Sequence, residues 1–230
     1  MQIKGKVALV TGANRGLGKA LVQALLAAGA AKVYAGARDP GSVDIQGAQA
    51  LKLDVTDKAT VQAAAAQAGD VDIVINNAGI SAHGPALGDN AEGLLARHLD
   101  VNLYGVLRVS EAFAPILGRN GGGALVNVLS VLSFLTIEQL TAYCVSKSAA
   151  WALTNGTRQQ LKGQGTVVTG VHVGYMDSDM TAGIDAPKTS LADAAASILG
   201  AIEAGQEELL IDDLSRQVKA SLSTDTPAYL

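Results

Sequence analysis

The sequence predicts a doubly wound α/β fold, in which a parallel sheet of about seven strands lies between two layers of helices. Short aliphatic runs alternate with longer Ala-rich stretches, and several of the short runs, such as Ile73–Ile75, are apolar without interruption. Strands that are covered by helices on both faces have this pattern. With 230 residues, 49% hydrophobic and 17% charged, the chain can bury a large core as one domain over residues 1–230.

Each element follows from this alternation. The predicted strands are Val7–Thr11, Lys32–Ala37, Ala50–Leu53, Asp72–Asn76, Ala124–Leu129, Val167–Val173 and Glu208–Ile211. The predicted helices cover approximately residues 17–28, 57–68, 90–118, 142–162 and 190–204. The least regular stretch, residues 175–189, is predicted to be a loop or short helix that covers a site.

Composition argues against several classes of protein. The net charge is −4 and no basic patch is present, so no nucleic-acid partner is expected. No apolar run approaches the roughly 20 residues that span a membrane. The run Val7–Val10 leads directly into a glycine turn and reads as a strand, not a signal peptide, which favours a cytoplasmic protein. The single cysteine and three scattered histidines predict no disulfide and no metal site, and His172 is expected to be a hydrogen-bonded core residue.

The first strand leads into the glycine-rich turn TGANRGLG at residues 11–18, which opens the first predicted helix. Glycine allows the chain to turn sharply and allows the backbone to approach a pyrophosphate. The N-terminus of the helix then offers free N–H groups and the positive end of its dipole to the phosphates. The strand–turn–helix context therefore predicts a dinucleotide-binding site.

The end of the second strand predicts which coenzyme binds. An NAD site usually has an acidic residue there, but the sequence reads Gly36-Ala37 and continues with Arg38. Arg38 and Arg15 could both contact a 2′-phosphate, which favours NADP(H) over NAD(H). Asp39 would either pair with an arginine or face solvent. In the alternative interpretation, both arginines are ordinary surface residues.

A second group of polar residues predicts the chemistry. Tyr143 and Lys147 lie four positions apart on one face of a predicted helix, where the ammonium should lower the tyrosine pKa and make it a proton donor and acceptor. Ser130 and the sequence NNAG at residues 76–79 end two neighbouring strands, at the edge where ligands bind in such sheets. Asn102 lies within a helix that is otherwise apolar, which requires hydrogen bonds to its amide.

The chain resembles the short-chain dehydrogenase/reductase family over nearly its whole length. The elements that carry this resemblance are TGANRGLG (11–18), Asp54, NNAG (76–79), Asn102, Ser130 and YCVSK (143–147). The resemblance implies a Rossmann-type fold with a catalytic set of Asn102, Ser130, Tyr143 and Lys147. Tyr143 would be the general acid or base, Ser130 would bind the substrate oxygen, and Asn102 would hold a water through its main chain. The implied coenzyme contacts are Gly12, Asn14, Arg15, Gly16, Leu17, Gly18, Arg38, Asp54, Val55, Asn76, Ala78, Gly79, Tyr143, Lys147, Gly174, Met176, Ser178 and Met180.

One segment departs from the family pattern. Val173 precedes Gly174 where the family usually has proline, and Ser178 stands where threonine is usual. The loss of proline should loosen the turn, whereas serine can supply the same hydroxyl. The segment from Asp177 to Thr189 is a short lid, which suggests a pocket open to bulky carbonyl compounds.

These features lead to one main functional hypothesis, an NADPH-dependent reductase of ketones or aldehydes that can also run as an alcohol dehydrogenase. Residues up to about 120 would bind coenzyme, and residues 121–230 would supply catalysis and substrate binding. The alternatives are an NAD-dependent alcohol dehydrogenase and a non-catalytic dinucleotide-binding regulator. The resemblance also implies a small-molecule substrate and a homo-oligomer, a dimer or tetramer, that packs through the helices at about 90–118 and 142–162.

Overall fold

The computed structural model describes residues 1–230 and contains one sheet of seven parallel strands. The strands are β1 (Val7–Thr11), β2 (Lys32–Ala37), β3 (Gln49–Lys52), β4 (Ile73–Asn76), β5 (Gly123–Val128), β6 (Thr166–His172) and β7 (Glu208–Leu210). Their order across the sheet is β3-β2-β1-β4-β5-β6-β7. The predicted seven-stranded Rossmann-type sheet is confirmed, with strand bounds within two residues of those predicted.

Seven α-helices connect or follow the strands. They are α1 (Gly16–Ala27), α2 (Lys58–Gln67), α3 (Ala91–Leu99), α4 (Gly105–Arg119), α5 (Thr141–Leu161), α6 (Leu191–Ala204) and α7 (Asp213–Ser221). The predicted helix at about 90–118 is confirmed as a helical stretch from Ala91 to Arg119, which a π-helical turn at Asp100–Tyr104 divides into α3 and α4. No helix is long and apolar enough to cross a membrane.

Two apolar cores, one on each face of the sheet, hold the helices in place. Alternation along β1 shows the division: Ala8 and Val10 face the core under α1 and α6, whereas Leu9 faces the core under α2 and α4. The first core includes Leu21 of α1 and Ile198 of α6, and both side chains are completely buried. The two predicted helix layers are therefore confirmed.

Helix α7 is an element that the sequence did not predict. Only Ser215 and Val218 of this helix are buried, so its apolar pattern is too sparse to identify a helix from periodicity. A capping interaction starts the helix, since the Asp212 carboxylate accepts a hydrogen bond from Ser215 N at 2.7 Å. Val218 then packs against Val131 and Leu132 beyond the end of β5. The C-terminal helix is thereby attached next to the catalytic edge of the sheet.

The strand order places a cleft at the carboxyl ends of β1 and β4. The chain continues from β1 outward through β2 and β3, and later from β4 outward through β5 to β7, so the connections diverge between these two strands. The Thr11 hydroxyl joins the two strand ends, because Asn77 N and Ala78 N each donate to it at 3.0 Å. Ligands of doubly wound sheets bind at such a divergence.

Candidate active site

The glycine turn between β1 and α1 has the shape that a dinucleotide requires. Gly16 has a φ of +52°, and no atom lies within 4 Å of the position that a side chain would occupy, so its backbone is open to a ligand. A side chain at Gly12 would lie 2.9 Å from Ala78 Cα, so the turn and the NNAG segment pack backbone to backbone. The first turn of α1 has no side-chain cap and no acidic residue, which leaves its N–H groups free for phosphate.

The NNAG segment holds this turn through Asn77, which was not among the predicted site residues. Asn77 Nδ2 donates to the carbonyl oxygens of Thr11 and Gly12, at 2.9 and 3.2 Å. Asn76, by contrast, is buried behind the strand and donates to Asn127 Oδ1 at 2.9 Å. Its side chain therefore does not face the cleft. The predicted coenzyme contact at Asn76 would have to be made by its main chain. The repeated asparagine could have indicated that the two side chains point to opposite faces of the strand.

The remaining predicted coenzyme residues divide between the core and the edge of the cleft. Leu17 is part of the apolar core, so only its main chain belongs to the turn. Asp54 accepts hydrogen bonds from the amide and hydroxyl of Thr56 through one carboxylate oxygen. The carbonyl of Val55 accepts a hydrogen bond from Arg108 at 3.1 Å. Asn14 is half-buried in the glycine turn.

The two arginines that predict coenzyme choice differ in their surroundings. Arg38 is exposed and forms no hydrogen bond or ion pair with the chain. Asp39 does not pair with an arginine and faces solvent, the second of the two expected arrangements, and its carboxylate accepts a hydrogen bond from Gly41 N at 2.9 Å. Arg15 forms an exposed ion pair with Asp179, 3.2 Å away in the loop after β6. A phosphate at this turn would therefore compete with Asp179 for Arg15.

We expect Asp179→Asn to strengthen NADPH binding by up to about fivefold, because exposed ion pairs contribute up to about 1 kcal/mol and a carboxylate would be removed from the phosphate site. The dissociation constant from fluorescence titration measures the effect, which should shrink at high salt. Asp177→Asn is the matched control, since Asp177 is exposed and forms no ion pair. Equal affinities in both variants would contradict the competition.

Tyr143, Lys147 and Ser130 converge beyond the carboxyl end of β5. Tyr143 and Lys147 lie on one face of α5, as predicted, with Lys147 Nζ 5.7 Å from the centre of the tyrosine ring. Lys147 is 6% exposed and donates to the carbonyl of Val128 at 2.8 Å, which fixes the ammonium at the strand end. Ser130 and Tyr143 both line one apolar cleft. The structure thus brings three of the four predicted catalytic side chains together.

The pKa values correct one expectation. Burial raises the pKa of Tyr143 to about 12, opposed by a hydrogen bond from the Ser130 side chain. Burial also lowers the pKa of Lys147 to about 8. The predicted lowering of the tyrosine pKa is therefore wrong, because desolvation of the phenolate raises the pKa more than the hydrogen bond with Ser130 lowers it. The phenol is consequently protonated at neutral pH, the form that a general acid requires.

Asn102 lies in the π-helical turn Asp100–Tyr104 and is completely hydrogen-bonded. Its Oδ1 accepts from Ile80 N, and its Nδ2 donates to Ile80 O and to Ser146 Oγ, each at 2.9 Å. Ser146 Oγ donates in turn to the carbonyl of Tyr143 at 2.7 Å. Asn102 thus connects the segment after β4 to the catalytic helix, and the π-turn is a feature often found at functional sites.

Gly79 lies between Asn102 and Lys147. A side chain there would approach Asn102 Oδ1 to 3.3 Å and Lys147 Nζ to 3.8 Å. The absence of a side chain therefore keeps the space beside the lysine open, as a ligand next to Lys147 requires.

Two histidines support the site in ways that the sequence did not show. His98 is fully buried: its Nδ1 donates to Leu94 O at 2.8 Å, its Nε2 accepts from Ala82 N at 3.1 Å, and its ring packs edge-on against Tyr143. His172 Nδ1 donates to Ser130 O at 3.1 Å, whereas its Nε2 has no partner. Burial lowers the pKa of His172 to about 4, so it is neutral. The expectation of a hydrogen-bonded core residue holds for one nitrogen of His172 only.

The cleft beside Ser130 and Tyr143 has a volume of about 200 Å³ and mostly apolar walls. Met180, which was predicted as a coenzyme contact, lines this cleft. Met176 pairs with Thr189 in an isolated bridge, which closes the base of the loop that carries Ser178 and Met180. The complete lining consists of Ser81, Ser130, Val131, Leu132, Leu135, Ile137, Tyr143, Gly174, Tyr175, Met180 and Leu214.

The turn after β6 is held despite the valine in place of proline. Gly174 N donates to the Asp212 carboxylate at 2.6 Å, and Val131 N donates to Val173 O at 2.9 Å. Asp212 is the residue that also starts α7, so the unpredicted C-terminal helix supports the cleft. The sequence signal that could have identified it is the Asp212-Asp213-Leu214-Ser215 cap at the start of a helix.

Known proteins share both the sequence and this geometry. Residues 6–189 match the short chain dehydrogenase family. Short chain dehydrogenase tazN from Aspergillus terreus is 34% identical over 81% of this chain, which spans only 44% of that longer protein. Galactitol 2-dehydrogenase from Agrobacterium fabrum is 34% identical, with coverage of 81% of this chain and 76% of the relative.

A solved structure agrees with the fold throughout. The structure of a short chain dehydrogenase from Burkholderia cenocepacia in complex with NADP is 35% identical, with a TM-score of 0.93 and coverage of 98% of this chain and 95% of that chain. Its similarity extends through α7, beyond the part of the chain that the family match covers. The chain belongs to the short-chain dehydrogenase/reductase family of NAD(P)-dependent oxidoreductases.

Proposed function

We propose that this protein is an NADPH-dependent reductase of ketones or aldehydes that can also oxidise the corresponding alcohols. The observation that carries the proposal is that the Ser130 and Tyr143 side chains share one cleft, and that Lys147 Nζ is fixed 5.7 Å from the tyrosine ring. Two hydroxyl groups in one apolar cleft can hold a carbonyl oxygen and protonate it.

Each residue of the catalytic set has a separate task. A nicotinamide coenzyme, when bound, would supply the hydride. Tyr143 donates its phenolic proton to the substrate oxygen, and Ser130 donates a hydrogen bond to the same oxygen as negative charge develops there. Lys147 places a positive charge beside the phenol, which stabilises the phenolate that remains after proton transfer. Asn102 holds α5 in position through Ser146.

The preference for NADPH rests on the end of β2. The small residues Gly36 and Ala37 occupy the place where an acidic residue would hold the ribose of NAD, and Arg38 follows with a free guanidinium. The similar Burkholderia structure, which contains NADP, supports the same preference. The coenzyme contacts that we propose are Gly12, Asn14, Arg15, Gly16, Leu17, Gly18, Arg38, Asp54, Val55, Asn76, Ala78, Gly79, Tyr143, Lys147, Gly174, Met176, Ser178 and Met180.

The direct test follows coenzyme absorbance with NADPH or NADH across a panel of aldehydes and ketones. We expect turnover with NADPH to exceed turnover with NADH. Tight NADPH binding without turnover of any carbonyl compound would contradict the proposed reductase and support a non-catalytic regulator.

Arg38→Ala should raise the KM for NADPH about tenfold and leave the KM for NADH unchanged, because a hydrogen bond to a charged partner contributes about 1.5–3 kcal/mol. Steady-state kinetics with both coenzymes measure the change. Arg119→Ala is the matched control, since Arg119 is exposed at the C-terminus of α4 and forms no ion pair. An equal loss with both coenzymes would mean that Arg38 supports the fold and does not select the phosphate.

We also propose a cytoplasmic homo-oligomer, a dimer or tetramer, that packs through the helices at about 90–118 and 142–162. Two large apolar side chains on these elements support the proposal, since Tyr104 is 48% exposed and Val145 is 42% exposed. Apolar side chains at this level of exposure are covered when subunits associate.

A further inference from the structure

Three of the nine large hydrophobic side chains that are exposed line the catalytic cleft. Ile137, Met180 and Leu214 are 36%, 53% and 40% exposed, and all three line the cleft that contains Ser130 and Tyr143. They come from three separate segments: the turn before α5, the loop after β6, and α7. Exposed apolar side chains that converge from different segments on one cleft indicate a surface that a ligand covers.

The cleft contains no charged side chain. Eight of its eleven lining residues are hydrophobic, and the other three are Ser81, Ser130 and Gly174. Two charged groups lie behind the wall: the Asp212 carboxylate accepts a hydrogen bond from Gly174 N, and the Lys147 ammonium lies 5.7 Å from the centre of the Tyr143 ring. A substrate carboxylate would therefore meet no arginine or lysine in the lining itself and would lose its solvation against apolar side chains.

Leu214 lies against the turn that follows β6. A side chain built at Gly174 would lie 3.1 Å from Leu214 Cδ2 and 3.2 Å from the Asp212 carboxylate, so leucine and turn are in direct contact. Helix α7 is fixed at its start by Asp212, in its middle by Val218, and near its end by the ion pair between Lys219 and Glu208. Helix α7 thus places Leu214 as an apolar wall of the cleft, next to the turn that follows β6.

From this geometry we propose that Leu214 is a specificity-determining residue, and that the substrate is a small carbonyl compound with an uncharged hydrocarbon arm. The inference rests on the proposed carbonyl reduction and names its substrate class. The arm lies against Leu132, Ile137, Met180 and Leu214, while the carbonyl oxygen meets Ser130 and Tyr143. The volume of about 200 Å³ lies below the roughly 300–1,000 Å³ of drug-sized pockets, which limits the arm to a short chain or a single ring. This small volume contradicts the expectation of a pocket open to bulky carbonyl compounds.

The test compares 2-octanone with 7-oxooctanoate, which has the same length and carbonyl position but ends in a carboxylate. We expect kcat/KM with NADPH to be at least about tenfold higher for 2-octanone, because a charge next to an apolar wall loses its solvation. Acetone is the third substrate, since it has no arm to reach Leu214. The kcat/KM for acetone therefore measures carbonyl reduction without any contribution from an arm.

Variants of Leu214 test whether this residue causes the preference for an uncharged arm. Leu214→Ala should lower kcat/KM for 2-octanone by roughly tenfold and leave acetone unchanged, because the lost contacts lie along the arm. Leu214→Arg should raise kcat/KM for 7-oxooctanoate and lower it for 2-octanone, since the guanidinium pairs with the carboxylate. Leu230→Ala, at a side chain that is 94% exposed and outside the cleft, is the matched control and should behave as wild type.

The outcomes separate the two proposals. If 7-oxooctanoate is reduced as well as 2-octanone, or if Leu214→Ala affects acetone and 2-octanone equally, the inferred substrate class is wrong and carbonyl reduction stands. If none of the three compounds is reduced while NADPH still binds, the proposed function is wrong and the inference fails with it. A preference for 2-octanone that Leu214→Arg reverses supports both.

Discussion

Tyr143→Phe is expected to lower kcat/KM for carbonyl reduction by about 10²–10⁴-fold, the contribution that a positioned general acid makes. The Tyr143 hydroxyl shares the cleft with Ser130, and burial raises its pKa to about 12, so at neutral pH it holds the proton that the substrate oxygen needs. Phenylalanine keeps the ring that packs against His98 and removes only the hydroxyl group. Steady-state rates with NADPH measure the loss.

A second tyrosine in the same cleft provides the control. Tyr175 lines the cleft but forms no side-chain hydrogen bond with the chain, so Tyr175→Phe should keep most of the activity. Both variants should bind NADPH and unfold at the wild-type temperature, because neither hydroxyl supports the fold. Comparable losses in the two variants would mean that the cleft lost its shape and that proton donation by Tyr143 does not explain the effect.

The pH dependence of the reverse reaction follows from the same group. Alcohol oxidation needs Tyr143 as a base, and raising the pKa to about 12 leaves little phenolate at neutral pH. The oxidation rate should therefore increase as pH rises, since the deprotonated fraction grows as the pH approaches the pKa. The reduction rate needs the protonated phenol and should not increase over the same range. Profiles of both directions in wild type and Tyr175→Phe check the assignment.

The sequence predicted the sheet well because apolar runs such as those of β1 and β4 are buried on both faces and carry a local signal. It predicted the pairing of Tyr143 with Lys147 because a spacing of four residues on a helix determines which face both share. These features depend on neighbours in the sequence. The glycine turn could be predicted for the same reason, because its strand, turn and helix follow one another directly in the sequence.

Features that depend on distant parts of the chain were not visible in the sequence. The π-turn at Asp100–Tyr104 exists where Asn102 binds the backbone of Ile80, 22 positions earlier. Asp212 supports Gly174 from 38 positions away. The pKa of Tyr143 depends on how deeply the fold buries it, a quantity that no spacing reports. Contacts between distant parts of the chain determine the π-turn, the support of Gly174 and the pKa of Tyr143.

Gly18→Ala is expected to destabilise the protein by about 3 kcal/mol, near the upper end of the cost of overpacking. An added side chain would lie 2.1 Å from the carbonyl oxygen of Gly12 and 2.6 Å from Asn77 Nδ2. The first contact is with backbone and cannot be relieved by a rotamer change, so α1 and the glycine turn must separate. For a chain of 230 residues this corresponds to a fall in Tm of about 6–12 °C.

Coenzyme binding should weaken in the same variant, because the turn that would hold the diphosphate is displaced together with the start of α1. Gly200→Ala is the matched control: Gly200 lies inside α6 with no atom within 4 Å of the new methyl group, so only the helix preference for alanine, about 1 kcal/mol, should appear as a small rise in Tm. Gly18 is also helical and gains the same preference, so the difference between the variants isolates the clash. Thermal unfolding with and without NADPH measures both effects, and a Gly18→Ala protein that keeps the wild-type Tm and the NADPH-induced shift would contradict the close backbone packing of the turn.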